Sequence, residues 1–479
     1  MQDARNFYIN GAWVAPSQGR DFAVIDPSTE EACATISLGG QADTDAAVAA
    51  AKAAFTKWRL SSKAERVDLM ESILDVYMRR SDDIATAISM EMGAPIDMAK
   101  VQQSGTGSTH IKAFINALKE FEFETPLRAG AEDTHIIREP IGVCALITPW
   151  NWPMNQISLK VMPALATGCT MVLKPSEQSP LSGMLFSEIM DEAGVPAGVY
   201  NMLNGDGPGV GSQLSSHADV YMVSFTGSTR AGRAITIAGA ETIKRVSLEL
   251  GGKGANIVFA DADPKAVKQG IIRCFNNTGQ SCNAPTRMLV ERSRYDQAVE
   301  EAKSAAESIT VNAAASEGRH IGPLVSEMQF DKVQGLIQQG IDEGATLVAG
   351  GMGRPEGLNR GFFVRPTVFA DCTNEMTVMR EEIFGPVLAM MPFDSEEEAI
   401  AIANDTDYGL TNYIQTSDDE KARRVARAVR SGMVDMNGKG RGTGAPFGGM
   451  KQSGNGREGG KWGLDEFLEV RAIGGWPVE

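Results

Sequence analysis

Two short apolar runs decide the fold: IGVCALITP (residues 141–149) and TMVLKP (170–175). Each has the length and composition of a buried strand. The second run is followed by LSGMLFSEIMDEAG (181–194), which we predict to be a helix that ends at Gly194, with Pro196 beyond it. Strands that alternate with helices in this way indicate a parallel sheet covered by helices on both faces.

The same alternation continues toward the C-terminus. A helix is predicted over STRAGRAITIAGA (228–240) and a strand over IKRVSLEL (243–250). A second series of strands and helices runs from about residue 254 to about residue 430, and the junction lies close to LELGGKG (248–254). The sequence therefore predicts an α/β fold with two doubly wound parallel-sheet units.

Three segments lie outside these two series. The first hundred residues are predicted to be mostly helical, with helical patterns over 43–58 and 63–93, the second closed by Gly93. Residues 121–140 are predicted to form a β-hairpin, and EFLEVRAIGGW (466–476) is predicted to be extended. These two β segments fit neither parallel sheet.

The composition limits the partners and the compartment. With 61 acidic and 45 basic side chains in 479 residues the net charge is −16, which disfavours binding to nucleic acid or to an anionic membrane. No apolar run approaches the ~18 residues of a membrane span, and the N-terminus lacks the apolar core of a secretory signal. We therefore expect a cytoplasmic protein of two or three domains whose six cysteines are free thiols.

Motif spacing excludes several classes of site. The six cysteines include no CxxC pair and the four histidines no HExxH cluster, so no metal site is expected. No serine lies in a GxSxG motif, which argues against a Ser-His-Asp enzyme. The GxGxxG fingerprint of dinucleotide binding is also absent, because GDGPGVG (205–211) has the wrong spacing.

Polar residues follow two of the predicted strands. Gly227 would let a phosphate approach closely, and Ser228 would offer a hydroxyl at a positive helix N-terminus, although Gly-Ser-Thr is also a routine turn and N-cap. Lys174 and Glu177, in VLKPSEQSP (172–180), could hydrogen-bond the hydroxyls of a ribose or form a solvated charged loop.

Three residues could act together on one substrate. Cys282, in NTGQSCNAP (277–285), lies between a predicted helix and a predicted buried strand, where it is either reactive or a free core thiol. Glu249 between two leucines is expected to have a raised pKa that suits a general base, unless it pairs with Lys253 or an arginine. Asn151 could direct its amide into a cleft. A nucleophilic thiol, a buried carboxylate and a fixed amide donor indicate covalent chemistry on a carbonyl.

Seven motifs along the chain carry a family resemblance. They are PWNWP, KPSEQSP, FTGSTRAG, LELGGK, NTGQSC, EEIFGPVL (381–388) and PFGGMKQSGNGRE (446–458). On these motifs the chain resembles the NAD(P)-dependent aldehyde dehydrogenase superfamily over essentially its whole length. The resemblance implies oxidation of an aldehyde to a carboxylic acid through a cysteine thiohemiacetal and a thioester, with NAD as cofactor and NADP as the alternative.

The resemblance also implies a role for individual residues. Cys282 would be the nucleophile, and Glu249 the general base that activates water. Asn151 and the backbone N–H of Cys282 would hold the oxyanion, and Glu458 matches a second carboxylate that some members use in proton relay. Contacts to the cofactor are implied for Trp150, Lys174, Glu177, Gly227, Ser228, Glu382 and Phe384.

A division into domains follows from the same resemblance. It implies an NAD-binding domain of residues 1–119 and 141–247 and a catalytic domain of residues 248–440. Residues 120–140 and 466–479 would be oligomerisation strands of a small β domain, which extends the sheet of a neighbouring subunit in a homodimer or homotetramer.

Two alternative functions are open at this point. In a CoA-acylating aldehyde dehydrogenase a thiol, rather than water, resolves the thioester, but those enzymes generally lack the glutamate that Glu249 matches. A non-catalytic structural protein on the same fold would be indicated by loss of the nucleophile, the base or the amide, and all three are present.

The substrate pocket is the last prediction from the sequence. Nine positions match the lining of the family's substrate tunnel: Trp152, Asn155, Gln156, Leu159, Asn276, Ser281, Asn283, Arg441 and Phe447. Six of the nine are polar or charged, and Arg441 could pair with a carboxylate unless it points to solvent. We therefore predict a polar small-molecule aldehyde, such as a semialdehyde or a heteroatom-bearing aromatic aldehyde, over a long aliphatic one.

Overall fold

The computed structural model describes residues 2–477, which form strands and helices in the following order. The strands are β1 (Gln2–Ala4), β2 (Phe7–Ile9), β3 (Ala12–Val14), β4 (Arg20–Asp26), β5 (Glu31–Leu38), β6 (Glu124–Pro126), β7 (Thr134–Pro140), β8 (Val143–Ile147), β9 (Thr170–Lys174), β10 (Tyr200–Met202), β11 (Met222–Thr226), β12 (Arg245–Glu249), β13 (Ala255–Val258), β14 (Arg287–Glu291), β15 (Thr346–Ala349), β16 (Thr367–Ala370), β17 (Val387–Phe393), β18 (Thr411–Gln415), β19 (Met433–Met436) and β20 (Leu468–Gly474).

The helices are α1 (Gln41–Trp58), α2 (Lys63–Arg79), α3 (Ser81–Met92), α4 (Ile96–Met98), α5 (Gly105–Glu120), α6 (Pro153–Thr167), α7 (Leu181–Glu192), α8 (Ser212–Ser216), α9 (Thr229–Gly239), α10 (Ala266–Phe275), α11 (Arg292–Glu307), α12 (Glu327–Asp342), α13 (Thr377–Arg380), α14 (Glu396–Asn404), α15 (Asp419–Ala428) and α16 (Gly460–Glu466). A π-helical turn, Ala99–Ser104, joins α4 to α5. Among residues 2–477, no helix has the length and apolar composition that crossing a membrane requires.

Two seven-stranded sheets dominate the molecule, which confirms the predicted fold class. The first has the strand order β12-β11-β8-β9-β10-β2-β3, in which β8 to β12 are parallel and the β2–β3 hairpin joins the edge antiparallel. The second has the order β15-β16-β17-β14-β13-β18-β19 and is parallel except for β15. Apolar strands such as β8 and β9 are buried along their whole length, as parallel strands covered on both faces must be.

The first sheet has a switch point between β8 and β11. These strands are neighbours in the sheet, although β9 and β10 lie between them in the chain, and they pair from Cys144↔Met222 to Ile147↔Phe225. Successive connections leave in opposite directions here, which opens a crevice at the carboxyl ends of the strands. The loops after β8 and β11 carry Trp150 and Ser228 and therefore lie at this crevice.

The prediction of a mostly helical N-terminus is wrong for residues 2–38. They form five strands, of which β1, β5 and β4 make a separate three-stranded sheet. Three of the five are only three residues long, too short for an alternating pattern to stand out. The predicted helix over 63–93 is also two helices, α2 and α3, which meet at Arg80 with φ −100° and ψ 7°.

A third sheet consists of the two segments that fitted neither series. β6 and β7 form the predicted hairpin, and β20 pairs with β7 from Leu468↔Pro140 to Gly474↔Thr134. Residues 478 and 479 of the predicted 466–479 strand lie outside the described residues. The predicted boundary between residues 247 and 248 falls within β12, whose last residue, Glu249, belongs to the first sheet.

Candidate active site

Cys282 lies on a tight connection between α10 and β14. Asn277, Thr278 and Gly279 have consecutive left-handed φ values of 53°, 58° and 71°. Such values are strained for residues other than glycine and persist only where surrounding contacts hold them. A Cβ on Gly279 would lie 2.0 Å from the carbonyl oxygen of Gly385, so this position requires glycine. The backbone that leads to the thiol is therefore closely fixed.

Buried amides hold this connection against the loop after β8. Asn277 Nδ2 donates to the carbonyl oxygens of Asn151 (2.9 Å) and Gln280 (3.2 Å). Gln103 Nε2 donates to the same Asn151 oxygen (3.0 Å) and to Asn277 Oδ1 (3.2 Å). Gln103 and Asn277 received no role from the sequence, because their contacts join segments far apart in the chain. Their position makes them supports of the loops that carry Asn151 and Cys282.

The predicted oxyanion donor is buried beside Cys282. The side chain of Asn151 donates one amide N–H to the Gln280 carbonyl oxygen at 3.0 Å. Because an amide nitrogen carries two N–H groups, the second remains for another acceptor. Asn151 and Cys282 line one cavity, so this donor and the thiol face the same space.

The environment of Cys282 disfavours the thiolate. Burial is the main cause that raises the pKa of the thiol, and the carboxylates of Glu382, Glu249 and Glu458 raise it further. The resting residue is therefore a thiol, and its attack on a carbonyl requires a proton acceptor.

Glu249 has the properties of such an acceptor. It is 3% exposed, and neither carboxylate oxygen has a hydrogen-bond partner among the described residues. Burial and then the charge of Glu458 raise its pKa well above the usual range, while Lys160 opposes the shift. No ion pair joins it to Lys253, whose own buried ammonium has a pKa lowered to about 7. A Cβ on Gly448 would lie 2.5 Å from Glu249 Oε1, so the glycine-rich C-terminal segment encloses the carboxylate.

A second buried carboxylate, Glu458, is held by an ion pair. Lys160 Nζ on α6 lies 2.6 Å from Glu458 Oε1, and the side chains are only 1% and 6% exposed. The ammonium also donates to Ser224 Oγ at 3.2 Å. The sequence analysis missed Lys160, although a lysine within the apolar run ISLKVMPALAT was a signal for a buried charge that needs a partner.

Five of the seven predicted cofactor contacts surround one cavity. The cavity has a volume of about 190 Å³ and lies between loops of the first sheet and loops of the second. Its lining includes the predicted Trp150, Gly227, Ser228, Glu382 and Phe384, together with Asn151, Cys282, Gln329 and Lys332.

The cavity wall combines an aromatic corner with a helix N-terminus. The rings of Trp150 and Phe384 meet edge to face at 5.4 Å. Ser228 is the N-cap of α9, and its hydroxyl accepts from the N–H of Ala231 at 3.2 Å. Glu382 Oε1 accepts from the N–H of Gly252 at 2.9 Å. A positive helix end and an aromatic wall at a sheet switch point suit a dinucleotide.

Lys174 and Glu177 lie apart from this cavity, at the end of β9. Their charged groups are 3.5 Å apart, and Lys174 Nζ also donates to the carbonyl oxygens of Pro175 (2.9 Å) and Gly205 (2.6 Å). Burial lowers the pKa of the Lys174 ammonium, which Glu177 partly opposes. Lys174 is the last residue of β9 and Glu177 follows it, at the carboxyl edge of the sheet where an extended ligand would continue.

Most polar groups of the predicted substrate pocket have partners inside the protein. Asn155 Oδ1 bonds His110 Nε2 at 2.8 Å, and Asn276 Nδ2 donates to Gln102 Oε1 at 3.0 Å. The hydroxyl of Ser281 accepts from the indole N–H of Trp152 at 2.8 Å. These three side chains therefore do not depend on a substrate for their hydrogen bonds, contrary to the premise of the polar-pocket prediction.

The remaining members of that pocket differ from one another. Gln156 is buried, and its Oε1 has no partner among the described residues. Arg441 does not simply point to solvent, because its Nε donates to Asp435 Oδ1 at 3.0 Å and its guanidinium lies 5.6 Å from the ring centre of Phe447. Leu159 is buried and Asn283 is half-buried.

Fold and site together define an α/β protein with a half-buried cysteine and two buried carboxylates beside a sheet switch point. A model of the aldehyde dehydrogenase family matches residues 13–473. The chain belongs to the aldehyde dehydrogenase family.

Individual relatives cover nearly the whole chain. It is 51% identical over 478 residues to a 3-succinoylsemialdehyde-pyridine dehydrogenase from a Pseudomonas species, with 99% of each chain covered. Among solved structures it is similar to an aldehyde dehydrogenase from Bartonella henselae, with 59% identity, a TM-score of 0.99, and 99% of this chain and 100% of that chain covered. It is also similar to an aldehyde dehydrogenase C mutant from Pseudomonas syringae in complex with NAD+ and octanal, with 48% identity, a TM-score of 0.97, and 99% and 97% covered.

Proposed function

We propose that the protein oxidises a small aldehyde to the carboxylic acid with NAD, using Cys282 as the nucleophile. The observation that carries the proposal is the single cavity that Cys282 and Asn151 share with Trp150, Ser228 and Glu382. A thiol, an amide donor and a helix N-terminus at one sheet switch point suit attack on a carbonyl beside a bound dinucleotide.

In this mechanism the first bond forms between Cys282 Sγ and the aldehyde carbon. The thiol proton leaves to a base, for which buried Glu249 is the candidate, because a carboxylate with a raised pKa accepts a proton near neutral pH. The oxyanion of the thiohemiacetal accepts hydrogen bonds from the free N–H of Asn151 and from the backbone N–H of Cys282. Loss of hydride then leaves a thioester on the cysteine.

Hydrolysis of the thioester returns the enzyme to its starting state. Glu249 first releases the thiol proton toward solvent. It then takes a proton from water as the water oxygen attacks the thioester carbon, and it returns this proton to the Cys282 sulfur as the acid leaves. One proton per turnover therefore has to pass from Glu249 to solvent. Glu458, which raises the pKa of Glu249 by its charge and is held by Lys160, is the candidate next carrier.

NAD, when bound, supplies the hydride acceptor for this oxidation. Trp150, Gly227, Ser228, Glu382 and Phe384 would hold it on the cavity side. Lys174 and Glu177 would bind the adenosine ribose at the end of β9, where they already lie as a pair. Glu177 favours a free 2′-hydroxyl over a 2′-phosphate, so NADP would be the weaker cofactor.

The substrate we propose is a polar aldehyde such as a semialdehyde. Support comes from the relative that is named for a pyridine-bearing semialdehyde, and from the unpartnered oxygen of buried Gln156. The relative crystallised with octanal makes a long aliphatic aldehyde the alternative. The hydrolytic route is favoured over CoA acylation because Glu249 occupies the position of the base.

Assembly and location belong to the same proposal. We propose a homodimer or homotetramer joined through residues 120–140 and 466–479, between an NAD-binding domain of residues 1–119 and 141–247 and a catalytic domain of residues 248–440. Strand β20 supports this role, because it lies at the edge of its sheet and Val470 is 67% exposed. The six free cysteines support a cytoplasmic location.

The test is NADH formation by the purified protein with an aldehyde panel. We expect turnover with NAD and succinic semialdehyde, a pyridine aldehyde or a hydroxybenzaldehyde, at higher catalytic efficiency than with hexanal. Coenzyme A should not accelerate the reaction, and the product should be the free acid. No NADH with any aldehyde, or a CoA thioester as the only product, would contradict the proposal.

A further inference from the structure

One carboxylate in the second sheet is shared by two arginines. Asp435 on β19 is buried, with its side chain 1% exposed. Its Oδ2 accepts from Arg273 Nη2 at 2.5 Å, and its Oδ1 accepts from Arg441 Nε at 3.0 Å. A single guanidinium would neutralise the buried charge, so two guanidiniums on one carboxylate leave a local charge of +1.

Both guanidiniums are partly open to solvent and lie against aromatic rings. The side chains of Arg273 and Arg441 are 35% and 26% exposed. Arg273 lies 4.3 Å from the ring centre of Tyr413, and Arg441 lies 5.6 Å from that of Phe447. Asp435 takes two of the ten N–H donors on the pair and Arg441 Nη1 contacts Met433 Sδ, so most of the donors remain for another acceptor.

The two aromatic rings connect this cluster to the candidate active site. The hydroxyl of Tyr413 donates to the carbonyl oxygen of Asn283, the residue after Cys282. Phe447 and Glu458 exchange two backbone hydrogen bonds of 2.8 Å. Each arginine therefore packs on a ring whose residue is hydrogen-bonded to the backbone of Asn283 or of Glu458. Neither arginine lines the cavity assigned to the cofactor.

We infer that Arg273 and Arg441, aligned by Asp435, bind an acceptor oxygen at the far end of the aldehyde substrate. The inference rests on the proposed function and deepens it by naming the substrate class: aldehydes with a carboxylate or a ketone oxygen a few bonds from the reacting carbon. In a chain of net charge −16, a cationic pair is a local attraction for an anionic substrate. Asp435 positions the pair, and its charge keeps the preference for anions moderate.

Three aldehydes of similar length separate charge from hydrogen bonding: succinic semialdehyde, its neutral methyl ester and pentanal. We expect the wild type to prefer the semialdehyde to pentanal by about ten- to a hundredfold in kcat/KM, mostly through KM, because hydrogen bonds to charged groups have about this effect. The kcat/KM of the methyl ester should lie between those of the semialdehyde and pentanal if an uncharged carbonyl oxygen is also bound.

Substitutions of the cluster should change the ratio of kcat/KM for the semialdehyde to kcat/KM for pentanal. Arg441→Met and Arg273→Met should each lower the ratio about tenfold, whereas Asp435→Asn should raise it, since it leaves both guanidiniums without their counter-charge. Arg424→Met is the control, because Arg424 forms a similar pair with Glu396 on an exposed surface, at 2.9 and 2.8 Å.

The outcomes distinguish this inference from the proposed function. Pentanal oxidation by the wild type reports on the proposed function alone. If both arginine variants keep the wild-type ratio, or lower kcat/KM equally for all three aldehydes, the pair is only structural and the inference is wrong. The two variants are independent tests, so either one remains informative if the other folds poorly.

Discussion

Replacing Lys160 with methionine should both destabilise the protein and shift its pH profile. The substitution keeps the length of the side chain and removes the ammonium 2.6 Å from Glu458 Oε1. At that separation the attraction between unit charges is about 6 kcal/mol with an effective dielectric constant of about 20. Desolvation offsets much of it, so the expected net loss is about 3–5 kcal/mol, the usual result of leaving one buried charge unpaired.

The measurement is the free energy of unfolding in urea, for a double-mutant cycle. Lys160→Met and Glu458→Gln should each lower the free energy of unfolding. The loss in the double variant should be smaller than the sum of the two single losses by at least ~2 kcal/mol. Lys119→Met is a matched control, because Lys119 lies at the same 2.6 Å from Glu71 but both side chains are about half exposed. Lys119→Met should lower the free energy of unfolding by less than ~1 kcal/mol. Additive losses in the cycle would refute the assignment of a coupled buried pair.

The same variants should move the pH profile of turnover in opposite directions. Glu249 acts as a base only when it is ionised, so its raised pKa places the rise in turnover at higher pH than an ordinary glutamate would. Lys160 lowers that pKa and Glu458 raises it. Lys160→Met should therefore shift the rise to higher pH, and Glu458→Gln to lower pH. Shifts in the same direction would contradict the electrostatic account.

Three further predictions concern chemistry and cofactor. Cys282→Ala should abolish aldehyde oxidation and keep NAD binding, measured by fluorescence titration. The control is Cys33→Ala, which changes a half-buried thiol outside the cavity and should retain activity. Turnover by Cys282→Ala would contradict the assignment. Glu249→Gln should give a burst of about one NADH per site in stopped flow and then very slow turnover, because thioester hydrolysis lacks its base; an unchanged steady state would remove Glu249 from the mechanism. The kcat/KM with NAD should exceed that with NADP. Glu177→Gln should reduce this difference, because it removes the charge that repels a 2′-phosphate. Equal kcat/KM with the two cofactors in the wild type would show that Glu177 does not contact the ribose.

The parts of the fold that the sequence predicted are those with local signals. Continuous apolar runs identified β8 and β9, and a glycine with positive φ ends α3 at Gly93 as expected. Three of the five strands of residues 2–38 are only three residues long, and strands of this region pair with distant segments, such as Met202 with Tyr8. Local pattern carries no information about such pairing.

The same distinction applies to the candidate site. Cys282, Glu249 and Asn151 stood in motifs whose chemistry could be argued from neighbouring residues. Lys160 and Gln103 could not be placed, because their partners are 298 and 174 positions away in the chain. The positions of the polar lining came from the family resemblance and its polarity from the residue types, and only the folded structure shows which of those groups bond to one another.

The contact between Gly279 and Gly385 has a mechanical consequence. There is no space for even a methyl group between Gly279 and Gly385. The segment that leads to the thiol therefore packs directly against the segment that carries Glu382 and Phe384. A displacement of either segment is therefore transmitted to the other without slack, since packed backbone is nearly incompressible. The thiol and the aromatic wall of the cavity therefore move as one rigid unit. A ligand that packs against Phe384 also fixes the position of the Cys282 sulfur.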